Sequence, residues 1–97
     1  MIQHVVLIKE NENLTDEVAS SLISQLQSLN QIPEVNEIIV GTNFSKLSRD
    51  VKIGMIAKFP DKNALKIYNK HELHLKVVNR LLELKLEMIV VDFPSTI

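Results

Sequence analysis

The chain has no cysteine, so disulfides, thiolate metal sites and cysteine nucleophiles are all excluded. It has no tryptophan, one tyrosine and three phenylalanines, which leaves too few rings for an aromatic cage or a base-stacking platform. An excess of one charge is missing too: eleven basic and twelve acidic residues give a formal net charge of −1. That balance removes the attraction on which nucleic-acid binding and anionic-membrane binding mostly depend, so neither is an expected partner. No apolar run approaches the roughly 20 residues that span a bilayer. The opening MIQHVVLIKE has a short apolar run, no basic start and a charged end, unlike a signal peptide. The expectation is a cytoplasmic protein.

What remains is an ordinary globular composition, 45% apolar and 24% charged, over 97 residues. No internal repeat, low-complexity tract or linker interrupts it, so residues 1–97 read as a single domain. Folding a chain of this size buries only about 60–65% of its unfolded surface, so a lone monomer is marginally stable.

Residues 2–9, IQHVVLIK, are β-branched and of strand length. Ile2, His4, Val6 and Ile8 share one face; Gln3, Val5, Leu7 and Lys9 share the other. Leu14-Thr15-Asp16-Glu17 then announces a helix, with Thr15 as its cap and two acids at the positive end of its dipole. Its apolar stripe is Val18, Leu22, Ile23, Leu26 and Leu29, and it should stop before Pro33, which pushes Ile32 out of helical geometry. Residues 35–40 read as a second strand closed by Gly41. Residues 51–59 read as a third, with Gly54 inside it marking a bulge or a close approach. Asp61 caps a short helix to Lys70, and a longer one runs from Glu72 to about Lys85 with His74, Val77, Val78, Leu81 and Leu82 on one stripe. The strand 88–93 ends at Pro94.

The order β-α-β-β-α-α-β with an antiparallel four-stranded sheet predicts an α+β, ferredoxin-like protomer whose helices cover one face. The other face would carry Val5, Leu7, Ile56, Ile89, Val91 and Phe93, a larger apolar patch than a soluble monomer usually exposes. Burial against a second copy across a two-fold axis resolves that exposure, so a homodimer through the open sheet face is expected.

The segments IQHVVLIK, IPEV, Gly41, YNKHELH and VVDF, in this order and spacing, resemble the stress-responsive dimeric A/B barrel (Dabb) family over essentially the whole chain. The resemblance implies a ferredoxin-like protomer whose sheet pairs with its mate's to form a dimeric α/β barrel. The family pattern Tyr-x-x-His-Pro-x-His is matched by Tyr68, His71 and His74, with Glu72 where proline is usual. One plant member is a cyclase that closes a polyketide by aldol condensation. Similarity to it implies roles for Tyr68 and His74, with His4 nearby, although a further pocket histidine of that enzyme corresponds to Ile53 here. Some members hold magnesium on main-chain carbonyls at the end of the first helix. Here those carbonyls would belong to Leu29, Ile32 and Val35.

The chemistry of the residues gives that reading a physical basis. His74 on a helix stripe and His4 on the helix side of a strand can line one cavity, with Tyr68 at its edge. Burial keeps an imidazole neutral and able to take a proton, while a phenol can polarise a carbonyl. The set suits enolisation, aldol closure or tautomerisation without any cofactor. Against it stands a packed core in which His74 and Tyr68 merely satisfy each other. The cavity would be bounded by Val6, Leu22, Met55, Val78 and Val90 as well, with the methionines as filler. A volume well below about 300 Å³ would speak for a filled core. His71 reads as a helix-start residue, and Lys62, Lys66 and Lys70 as a solvated row. Three functions follow: a binder of a small apolar carbonyl compound, a cofactor-independent cyclase or isomerase using Tyr68 and His74 for proton transfer, or a purely structural stress-associated dimer.

Overall fold

The computed structural model describes residues 1–96. Its elements are β1 (Ile2–Lys9), α1 (Asp16–Ser28) running into a 3-10 turn (Leu29–Gln31), β2 (Glu37–Thr42), β3 (Val51–Phe59), α2 (Lys62–Lys70), α3 (Glu72–Glu83) and β4 (Met88–Pro94). All strand pairs are antiparallel, in the order β2-β3-β1-β4, so the ferredoxin-like arrangement is as expected.

The local signals act where the sequence puts them. The Thr15 side chain accepts from the Val18 amide and Asp61 accepts from the Ala64 amide, each satisfying a free donor of a helix start. Ile32 is extended ahead of Pro33, which ends the first helical segment. Helix α3 stops at Glu83, two residues before the expected end. Lys85 is left-handed, the Leu86 amide bonds to the Leu81 carbonyl and the Lys85 amide to the Leu82 carbonyl. This is a Schellman closure, locked by buried Leu81 and Leu86.

Two strand expectations are corrected. β2 covers 37–42 rather than 35–40, because the Val35 amide is engaged by the Ile32 carbonyl in a turn. Gly41 therefore lies inside the strand, paired with Gly54 of β3. Gly54 marks no bulge: the irregular register falls between Ile8 and Lys9, and nothing lies within 4 Å of a Cβ placed at either glycine.

β1 alternates buried and half-buried along its length. Its helix-side residues join Ile53, Met55, Ala57 and Phe59 of β3 under the helices. The helical layer stops short of edge strand β4, however. Val90 faces the helix side beside Val6 yet is 47% exposed, so the sheet is roofed over β3 and β1 but open at β4. The bare face carries the six expected residues, and Ile39, 53% exposed, extends the patch across to β2.

Candidate functional site

The gap left over β4 is where the polar residues of the core meet. Tyr68 lies on the buried side of α2 with Ala64 and Leu65. Its ring packs edge-on against Phe59 at 4.9 Å and His4 at 5.9 Å, and is tilted against His74 at 4.6 Å. The ring is wholly buried, and its hydroxyl finds no hydrogen-bond partner. Burial also drives its ionisation well above the ordinary phenol range, so Tyr68 is a neutral O–H donor without an acceptor.

His74 sits in the first turn of α3, whose start is capped by His71: the His71 Nδ1 accepts from the Leu73 amide. The His74 Nδ1 lies 3.1 Å from the Asn69 carbonyl oxygen. A carbonyl only accepts, so Nδ1 carries the proton and the Nε2 lone pair of the neutral ring is free to accept one. Burial lowers the His74 pKa below its ordinary value; the Asn69 bond opposes this, and the charge of His4 adds to it. Tyr68 and His74 touch, and the Tyr68 hydroxyl makes no hydrogen bond to the imidazole.

His4, 6% exposed, stands opposite Asp92 in the β1–β4 register, and its Nδ1 donates to the Asp92 carboxylate. This bond restrains the ring at the border of a cavity. His4, Tyr68 and His74 together border a cavity of about 190 Å³ whose remaining wall is mostly apolar.

Val6, Met55, Val78 and Val90 line it as expected. Leu22 does not. It is fully buried in the core, and the wall is formed by Leu26 and Leu29, one and two turns further along the same stripe. The volume lies below the ~300 Å³ typical of drug-sized sites, which is the outcome expected of a filled core. It lies above the ~150 Å³ cavity that takes up benzene.

A family model described as the stress responsive A/B barrel domain (Dabb) matches residues 2–95. The chain belongs to the Dabb family. No curated protein matches it in sequence. Among solved structures, this Dabb chain is similar to a protein from Arabidopsis thaliana (22% identity, TM-score 0.84, covering 100% of this chain and 97% of the other). A dimeric ferredoxin-like protein of unknown function from Thermobifida fusca is 19% identical, with a TM-score of 0.85 and coverage of 97% and 90%. The hydroxynitrile lyase from Passiflora edulis is 14% identical, with a TM-score of 0.83 and coverage of 99% and 94%. At these identities the likeness is one of fold.

The magnesium positions can be tested on geometry. The Leu29 carbonyl accepts from the Ile32 amide at 3.1 Å and the Ile32 carbonyl from the Val35 amide at 3.0 Å. Two of the three acceptors are thus already used by successive turns, and a cation would have to share them. Among the described residues no three acidic or histidine side chains gather as a metal site, and no helix is long and apolar enough to cross a membrane.

Beside apolar wall residues such as Leu26 and Leu29, two polar site residues escape the sequence reading: Asp92, and Asn69 through its carbonyl. An aspartate inside the otherwise apolar strand 88–93, two positions from Val90 on one face, is the signal that could have found the first. Nothing in the residue type at position 69 signals the second.

Proposed function

We propose that this Dabb chain is a homodimeric binder of compact, largely apolar carbonyl compounds. The observation that carries the reading is the Tyr68 hydroxyl, a buried donor at the cavity wall with no acceptor of its own. A polar group of this kind costs free energy until something accepts from it, and a ligand carbonyl is an acceptor without a competing proton. Dimerisation through the open sheet face is supported by the exposed apolar row Ile39, Ile56, Val91 and Phe93, and by the dimeric Thermobifida neighbour.

The reading is tested by thermal shift and calorimetry with acetophenone, benzaldehyde and the hydrocarbon ethylbenzene, since a ligand selective for the native state raises its melting temperature. The carbonyl compounds should bind more tightly than ethylbenzene, and Tyr68→Phe should erase the difference. Equal binding of all three compounds, or none by any, overturns it.

A second reading, proton transfer, is favoured by the free Nε2 of neutral His74. Nε2 would take an α-proton while Tyr68 donates a hydrogen bond to the carbonyl oxygen. The enolate so formed, held by the Tyr68 hydrogen bond, would regain a proton at carbon from the imidazolium, after that proton has exchanged with solvent. In deuterated water, native protein should exchange α-protons of such ketones faster than His74→Ala. Identical rates would remove the catalytic reading.

A further inference from the structure

Outside the inner cavity lies a groove of about 240 Å³ between α2 and the end of β4. Its apolar part is made by Ile2, Leu65, Phe93 and Pro94, and its polar part by Lys62, Lys66, Asn69 and Asp92. Asn69 and Asp92 border the inner cavity as well, so the two chambers meet at these residues. Lys62, Lys66 and Asn69 fall at i, i+4 and i+7, one stripe of α2 that lines the groove, with Asn69 also lining the inner cavity.

The two lysines are one helical turn apart, where like charges repel. Among the described residues neither has a carboxylate partner, although Lys9, Lys52, Lys58 and Lys76 all do. The acid among the residues lining the groove, Asp92, is engaged by His4. Two unpaired ammonium groups beside an apolar floor, next to a cavity with an orphaned O–H donor, make an amphiphilic pair of chambers: apolar and carbonyl-seeking within, anion-seeking without.

We propose that the groove holds the carboxylate of an oxo acid whose carbonyl end occupies the inner cavity, with Lys62 and Lys66 as the anion-binding pair. This rests on the carbonyl reading above and narrows its ligand class to anionic oxo compounds. It also separates Lys62 and Lys66 from Lys70, which lies outside the groove.

The test uses the full chain at low ionic strength with three probes: benzoylpropionate, its uncharged counterpart butyrophenone, and phenylbutanoate, which keeps the carboxylate but lacks the ketone. Benzoylpropionate should bind about threefold to tenfold more tightly than butyrophenone, the range expected of two solvent-accessible ion pairs. Added salt should reduce that advantage. The double variant Lys62→Gln/Lys66→Gln should abolish it without changing butyrophenone affinity or lowering the melting temperature. An advantage absent in native protein, or retained in the double variant, overturns the anion site alone. Lysine-dependent binding of phenylbutanoate equal to that of benzoylpropionate leaves the anion site standing and overturns the carbonyl reading. Failure of all three probes to bind overturns both.

Discussion

His4 and Asp92 stand opposite each other across the β1–β4 ladder, and the imidazole Nδ1 of the first donates to the carboxylate of the second. The pair spans the line where the helical roof ends, joining a buried strand to an exposed one. Asp92→Ala removes the acceptor and leaves a buried ring N–H unpaired, which should lower stability by about 1–3 kcal/mol. Asp92→Asn, which keeps a carbonyl acceptor, should lose less. Urea denaturation compares the three proteins; equal midpoints would mean that the bond carries no stability.

Tyr68→Phe should behave in the opposite sense. It deletes a buried hydroxyl that has no partner, so the free protein should be unchanged or more stable by up to about 1 kcal/mol, while carbonyl ligands are lost. A clear destabilisation in denaturant melts would show that the hydroxyl is satisfied in solution by something other than a ligand.

The lowered pKa of His74 gives stability a pH dependence of known sign. The unfolded chain, with an ordinary histidine, binds the proton more readily than the fold does. Stability should therefore be fully present above about pH 6.5 and fall as pH drops from there through the folded-state pKa. Comparing denaturation midpoints across that window, the slope should be shallower for His74→Gln than for native protein. Parallel slopes would show that His74 titrates alike in both states.

Ile56→Asp puts a charge at the middle of the bare sheet face, opposite Val5 and Ile39. It should convert a dimer into monomers in sedimentation at micromolar concentration. Burying one unpaired carboxylate costs more than a contact of this kind returns. A native chain that sediments as a monomer would remove the dimer altogether.

Leu22→Ala should cost about 2–5 kcal/mol, as for a fully buried leucine, and leave the ligand preference intact. Leu26→Ala should cost as much but also widen the cavity and admit larger ketones. If Leu22→Ala changes ligand selection instead, the cavity reaches further along α1 than the structure has it.

Much of this site was legible because strand alternation is strict. His4, Val6 and Ile8 had to share one face, and the helical stripe had to bring His74 inward. Leu22 was misassigned because stripe membership says that a residue faces the sheet but not whether a gap lies opposite it. Asp92 was overlooked because its role depends on register, which no local pattern in β4 specifies. The row Lys62, Lys66, Lys70 looks uniform for the same reason: helical spacing is periodic, and the groove that takes in the first two and omits the third exists only where α2 meets Ile2 and the end of β4.

The sequence alone determined the alternation of elements, their caps and their apolar faces, because these follow from contacts within a turn or two of chain. Only the tertiary structure decided where the helical layer ends over the sheet, and hence that a phenol is enclosed without an acceptor and an aspartate meets a histidine 88 residues away. Those outcomes depend on how layers of unequal width overlap, a property of the assembled elements and not of any one of them.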